Sequence, residues 1–131
     1  MIYHILDILI IVFHTTLIIF NLFGWIWRKT RVFNLITLLL TGASWLFLGL
    51  ILGTLGYCPL TDWHFSILVR LGETGLPDSY IKYMIDRLTG IDINAALVDK
   101  VTLYSFLASL IISVYLNLKD LVKLKRMLKS N

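Results

Sequence analysis

The stretch ILIIVFHTTLIIFNLFGWIW, Ile8 to Trp27, contains no Asp, Glu, Lys or Arg. An α-helix needs about 20 such residues to cross the roughly 30 Å hydrocarbon layer of a bilayer, so the stretch reads as a membrane span. Two further charge-free runs follow, Val32 to Thr61 and Val101 to Leu118. With 58% hydrophobic and 15% charged residues and a mean hydropathy of +0.83, the chain has more apolar surface than a soluble domain of this size hides. The expectation is an all-α integral membrane protein of one domain, with spans over about residues 3–27, 32–57 and 99–118. A segment over about 58–98 lies outside the membrane, and a basic tail follows from 119 to 131.

The first span is read as a retained helix. A signal peptide carries Lys or Arg before its apolar core and small residues after it. Here His4 and Asp7 stand in front, and Gly24-Trp25-Ile26-Trp27-Arg28-Lys29 follows.

Orientation comes from the basic residues. Arg28, Lys29 and Arg31 lie between the first two spans, and Lys119, Lys123, Lys125, Arg126 and Lys129 follow the third. Arg70, Lys82, Arg87 and Lys100 are diluted in the long middle segment by Asp62, Glu73, Asp78, Asp86, Asp92 and Asp99. Lys and Arg flanking spans stay cytoplasmic, which places both basic clusters inside and the N-terminus and residues 57–100 outside. Trp25, Trp27, Tyr57 and Trp63 suit the two interfaces. The basic tail is compatible with anionic headgroups, and nothing in the pattern suggests nucleic acid.

The outer segment shows helix signals of its own. Pro59 predicts an end to the second helix near Tyr57, and Thr61 offers an N-cap for a short helix. Leu60, Trp63, Ile67 and Leu71 form its expected apolar stripe, opposite Asp62, Ser66, Arg70 and Glu73. Asp78 or Ser79 can cap a second short helix with Ile81, Met84, Ile85 and Leu88 as its apolar face, Gly90 as its stop, and Lys82 among i,i+4 charge pairs. Asp92 or Asn94 can cap the third span. Two amphipathic helices lying in the outer interface are the expectation.

Polar residues inside the spans carry the remaining signal. On a helical projection His4, Asp7, His14 and Asn21 share a sector of about 100° on the first helix. His14 is the ionisable group nearest mid-membrane, a position that marks a candidate functional residue. Its alternatives are a neutral imidazole bonded to a hydroxyl such as Thr41 or Ser109, or a haem or metal ligand, quinone donor or proton relay. Asn34, Thr37, Thr41 and Ser44 line the second helix, beside Gly42, Gly49, Gly53 and Gly56. Thr102, Ser105, Ser109, Ser113 and Asn117 line the third. Gly49 and Gly53 form a GxxxG, and these small and hydroxyl residues are the expected helix contacts.

His4, Asp7, Cys58 and His64 could meet at the outer surface, and such donors suit zinc or copper, although their spacing matches no metal motif. Cys58 is the sole cysteine and reads as a small residue in a Cys-Pro turn. No phosphate loop, Ser-His-Asp order or paired-carboxylate spacing is present, so no catalytic residue is assigned and no cofactor is named.

The run Gly56-Tyr57-Cys58-Pro59-Leu60-Thr61, with His14 and Trp45 before it and Leu68, Arg70, Gly72 and Tyr80-Ile81-Lys82-Tyr83 after it, resembles a family of small bacterial membrane proteins known as a domain of unknown function, number 2784. The Cys-Pro-Leu-Thr element carries most of the likeness, which covers His14 to about Tyr83. Where that family commonly has an acidic residue three positions after the Thr, this chain has His64. Where it often has a His early in the second helix, Asn34 or a neighbour stands. The resemblance implies the fold and a bacterial inner-membrane location, and no known activity. Two functions stay open: a non-catalytic accessory, assembly or scaffold component meeting other membrane subunits or itself, and a cofactor-binding or proton-transfer protein centred on His14.

Overall fold

The computed structural model describes residues 1–54 and 56–131, and every regular element among them is helical. Helix α1 spans Ile2–Phe23. Helix α2 spans Arg28–Leu52, opening with a 3₁₀ turn at Arg28–Thr30 and widening into a π turn at Ser44–Leu48. Two shorter helices follow, α3 at Pro59–Arg70 and α4 at Tyr80–Thr89, before the long α5 at Ala95–Lys129. The long helices α1, α2 and α5 are apolar enough to cross a membrane, and each packs on the other two.

The bundle buries polar side chains among apolar ones and turns many of its large apolar residues outward, unlike a soluble domain. On α1 the buried residues are Asp7, Ile10, His14 and Asn21, while Ile5, Leu9, Val12, Phe13 and Ile19 face outward. Lipid solvates apolar side chains as well as the interior does, so interior positions are free for small and hydrogen-bonding residues.

At the end where α1 turns into α2, side-chain amides stitch the helices together. The Asn34 amide, fully buried, donates to the Phe20 and Asn21 carbonyls at 2.7 and 3.2 Å; the Phe20 oxygen also accepts from the Gly24 amide at the end of α1. Asn21 in turn donates to the Thr41 hydroxyl at 3.0 Å. Arg31 donates through Nε to the Trp25 carbonyl and through Nη1 to the Asp120 carboxylate at 2.9 Å, which fastens α5 to the same turn. Of the expected packing residues, Ser109 is buried and donates to the Leu22 carbonyl at 3.4 Å. Thr37 spends its hydroxyl on its own helix and Ser105 is half-buried.

Gly49 is buried, but Gly53 takes φ +74° and is exposed, so the pair makes no helix-packing face. Glycine pays no steric penalty in the left-handed region and stops the helix. Helix α2 therefore ends at Leu52 and not near Tyr57; Leu55, within the expected helix, lies outside the described residues. The chain then folds back along α2. The Gly56 amide donates to the Trp45 carbonyl inside the π turn at 3.3 Å, and the Ser44 hydroxyl donates to the Tyr57 carbonyl at 3.2 Å.

That return carries Cys58 down to His14. Extended at φ −126° and ψ 118°, Cys58 precedes Pro59 at the first helical position, so α3 starts two residues before the expected Thr61 cap. Proline fits there because its missing N–H is an orphan at a helix start in any case. Helix α3 does not lie flat on the bundle. It runs antiparallel to α1, pairing Cys58 with His14, His64 with Asp7 and Arg70 with Tyr3. Its buried face is Thr61, His64, Ile67 and Leu68, and Trp63, placed in the expected stripe, is 58% exposed. On α4 the buried residues are Tyr80, Lys82 and Tyr83, with Leu88 exposed. Ser79, Gly90 and Asn94 act as the cap, stop and cap the sequence suggests.

A Cβ on Gly24 would lie 2.6 Å from the Phe20 carbonyl and 2.9 Å from the Asn34 amide. Gly24→Ala should therefore lower stability by roughly 1–3 kcal/mol through overpacking, read as a fall in thermal midpoint. A midpoint at or above that of the parent would show that the α1–α2 corner has slack.

Candidate functional site

Where α3 and α4 meet the first half of α1, polar side chains form two layers. The outermost centres on Asp7, 5% exposed. His64 Nε2 donates to Asp7 Oδ1 at 2.7 Å, and Arg87 clamps both oxygens, Nη1 to Oδ1 at 3.1 Å and Nη2 to Oδ2 at 3.2 Å. The same Nη1 donates to the Tyr83 hydroxyl at 2.8 Å, and the Tyr83 ring stands edge-on to His64. Two separate elements, α3 and α4, thus converge on one carboxylate of α1. The carboxylate in turn lifts the Arg87 guanidinium above its already high ordinary pKa.

The second layer surrounds His14, 6% exposed. Its ring stacks on Tyr80 at 3.9 Å between centroids, and its Nε2 lies 3.8 Å from Cys58 Sγ. The Tyr80 hydroxyl shares a 3.0 Å hydrogen bond with Thr15. Tyr80 also faces His64, with centroids 5.9 Å apart, so a single ring touches both imidazoles. Each histidine keeps Nδ1 without a hydrogen-bond partner among the described residues. His64 is fully buried.

Beyond Asp7 lies an open cavity of about 480 Å³, lined among others by His4, Asp7, Glu73, Tyr83, Asp86 and Arg87. The guanidinium of Arg87, with 40% of its side chain exposed, links the cavity to the buried carboxylate.

The helix-one stripe is thus spread over three depths: His4 at the cavity, Asp7 at its floor, His14 beneath. Of the four candidate metal ligands, Asp7 and His64 meet, whereas Cys58 faces His14 and His4 stands apart. No group of three His, Cys, Asp or Glu side chains suited to a metal gathers among the described residues. Within the Cys-Pro-Leu-Thr corner Leu60 is half-buried and Thr61 buried, and Cys58 brings its thiol to the second layer.

Tyr80, Tyr83 and Arg87 were absent from the candidate residues of the sequence. Their spacing of three and four places them on one helical face, and an acid on α1 required a cation somewhere. Those two signals together point to them.

Fold and site define a small helical protein with three potentially membrane-crossing helices and a buried carboxylate–imidazole core. The chain belongs to the family described as Protein of Unknown function (DUF2784), whose model matches residues 4–118. That range takes in both layers. No curated protein and no solved structure matches the chain.

Burial raises the phenols of Tyr80 and Tyr83 above their ordinary value of 10.0. A folded-state pKa above the unfolded one means that stability is complete below the unfolded value and is lost as pH rises through the folded value. Thermal midpoints should hold up to a pH of about 10 and fall beyond it, with a shallower fall in Tyr80→Phe. An equally steep fall in that variant would place the alkaline transition elsewhere.

Proposed function

We propose that this chain is a bacterial inner-membrane protein with its N-terminus and the cavity end of α3 and α4 outside, and that its work is proton exchange between the outer cavity and the two buried histidines. The observation that carries this is the pair of almost wholly buried imidazoles, each with an Nδ1 unpartnered among the described residues, both against the Tyr80 ring and one of them, His64, bonded to Asp7. Ionisable side chains in an apolar bundle are costly, and well-packed apolar residues commonly stabilise such a site as well or better. An imidazole can take a proton on one ring nitrogen and give one from the other, so the cost is matched to a group suited to proton exchange. In this scheme His64 trades its proton with Asp7, and Arg87 holds the carboxylate in place. His14, shielded by Tyr80 on one face and directed at Cys58, relays rather than ligates.

A second reading has its own support. Every charge on Asp7 is met by a partner from another helix, as a latch within a non-catalytic accessory or scaffold component would require. Nitrogen-15 labelled histidine spectra of the purified protein separate the two. Proton exchange predicts that both imidazoles change protonation or tautomer over the pH range in which the protein stays folded, and that His14→Gln alters the His64 spectrum while the thermal midpoint stays near that of the parent. Imidazoles fixed across that range would overturn it and leave the latch.

The orientation rests on the two basic clusters flanking the spans. A reporter active only in the cytoplasm should work when fused after Asn131 and fail when fused near Thr74. The opposite pattern would invert the protein and place the cavity inside.

A further inference from the structure

Helix α5 is longer than a crossing requires. Its 35 residues extend about 52 Å, against roughly 30 Å of hydrocarbon. Arg31 and Arg28 reach Asp120 at 2.9 and 3.9 Å, and Trp27 close by is exposed. Aromatic and basic anchors of this kind mark an interface, so the helix emerges near Asp120 and continues to Lys129. Over that emergent length Leu121, Leu124, Met127 and Leu128 share one face and are 47%, 53%, 57% and 67% exposed. Lys119, Lys123 and Arg126 occupy the opposite face, flanked by Lys125 and Lys129. Asp120 is taken by the arginines of α2, and among the described residues no carboxylate pairs with the five cations of the tail.

An exposed apolar stripe backed by five cations fits an anionic surface. A second copy of the chain would bring the same five charges against the first, a repulsion that a lipid surface reverses. We propose that Lys119–Lys129, extended by Arg28 and Lys29, docks on the anionic phospholipid headgroups of the face where α5 emerges. The basic side chains meet phosphates, and Leu121 and Leu124, nearest the point of emergence, rest at the headgroup–acyl boundary. This depends neither on the proton-exchange reading nor on the orientation.

The test is amide hydrogen exchange of the full chain in single-copy nanodiscs of phosphatidylcholine, with and without phosphatidylglycerol. Docking predicts that amides 121–129 exchange several-fold more slowly with phosphatidylglycerol present, and that high salt removes the difference. A variant carrying Lys123→Gln, Lys125→Gln and Arg126→Gln should lose the slowing while α1 and α2 keep their protection. Equal exchange in both lipids would overturn the proposal. Slowing that appears in neutral lipid only when two copies share a disc would also overturn it, in favour of self-association through the stripe.

Discussion

A carboxylate at the start of α1, removed from water, has to be neutralised by something, and much of this fold is the answer. Asp7 receives a proton donor from α3 and a two-pronged cation from α4. A buried charge deprived of its partner is far more destabilising than a satisfied pair is stabilising. Neither short helix can therefore drift from α1 without exposing that cost. Their placement follows: α3 lies along α1, and α4, packed on α5, reaches α1 through its side chains, because His64 and Arg87 must both meet the same residue.

Reaching it needs the chain to turn back. A helix that ran on past Gly53 would carry Cys58 away from the bundle and lift α3 off α1. The left-handed glycine, the π turn at Ser44–Leu48 and the two hydrogen bonds that return Gly56 and Tyr57 to α2 together set where α3 begins. At the opposite end, Asn34, Arg31 and Asp120 hold the three long helices in register. The chain thus has a closed end of amide and ion-pair stitches, and an open end whose polar core meets a cavity.

Much of this is visible in the sequence, and the misses share a cause. Charge-free runs announce the long helices, and helical projection alone puts His4, Asp7, His14 and Asn21 on one stripe, of which all but the exposed His4 are buried. Ser79, Gly90 and Asn94 are local signals, readable because a cap needs only its neighbours. Trp63 and His64 are the instructive pair. An apolar-stripe rule built for water sends Trp63 inward, but beside lipid the tryptophan turns out and the histidine turns in, because Asp7 waits there. Gly53 fails in a similar way: the GxxxG spacing is real, yet the fold-back that makes it a helix stop is sealed by bonds to Ser44 and Trp45. Arg87 lies 80 positions from its partner, beyond any local pattern.

The account stands on Asp7 as the shared anchor, and a double-mutant cycle tests that most directly. Thermal unfolding of Asp7→Asn, Arg87→Gln and the double variant should show the two changes to be non-additive by roughly 1–2 kcal/mol, the low end for a coupled pair because part of the Arg87 side chain is exposed. The double variant should be less damaged than the sum of the singles, since the second loss removes a charge already stranded by the first. Strictly additive effects would mean that the carboxylate and the guanidinium act independently, and the anchor would have to be sought elsewhere.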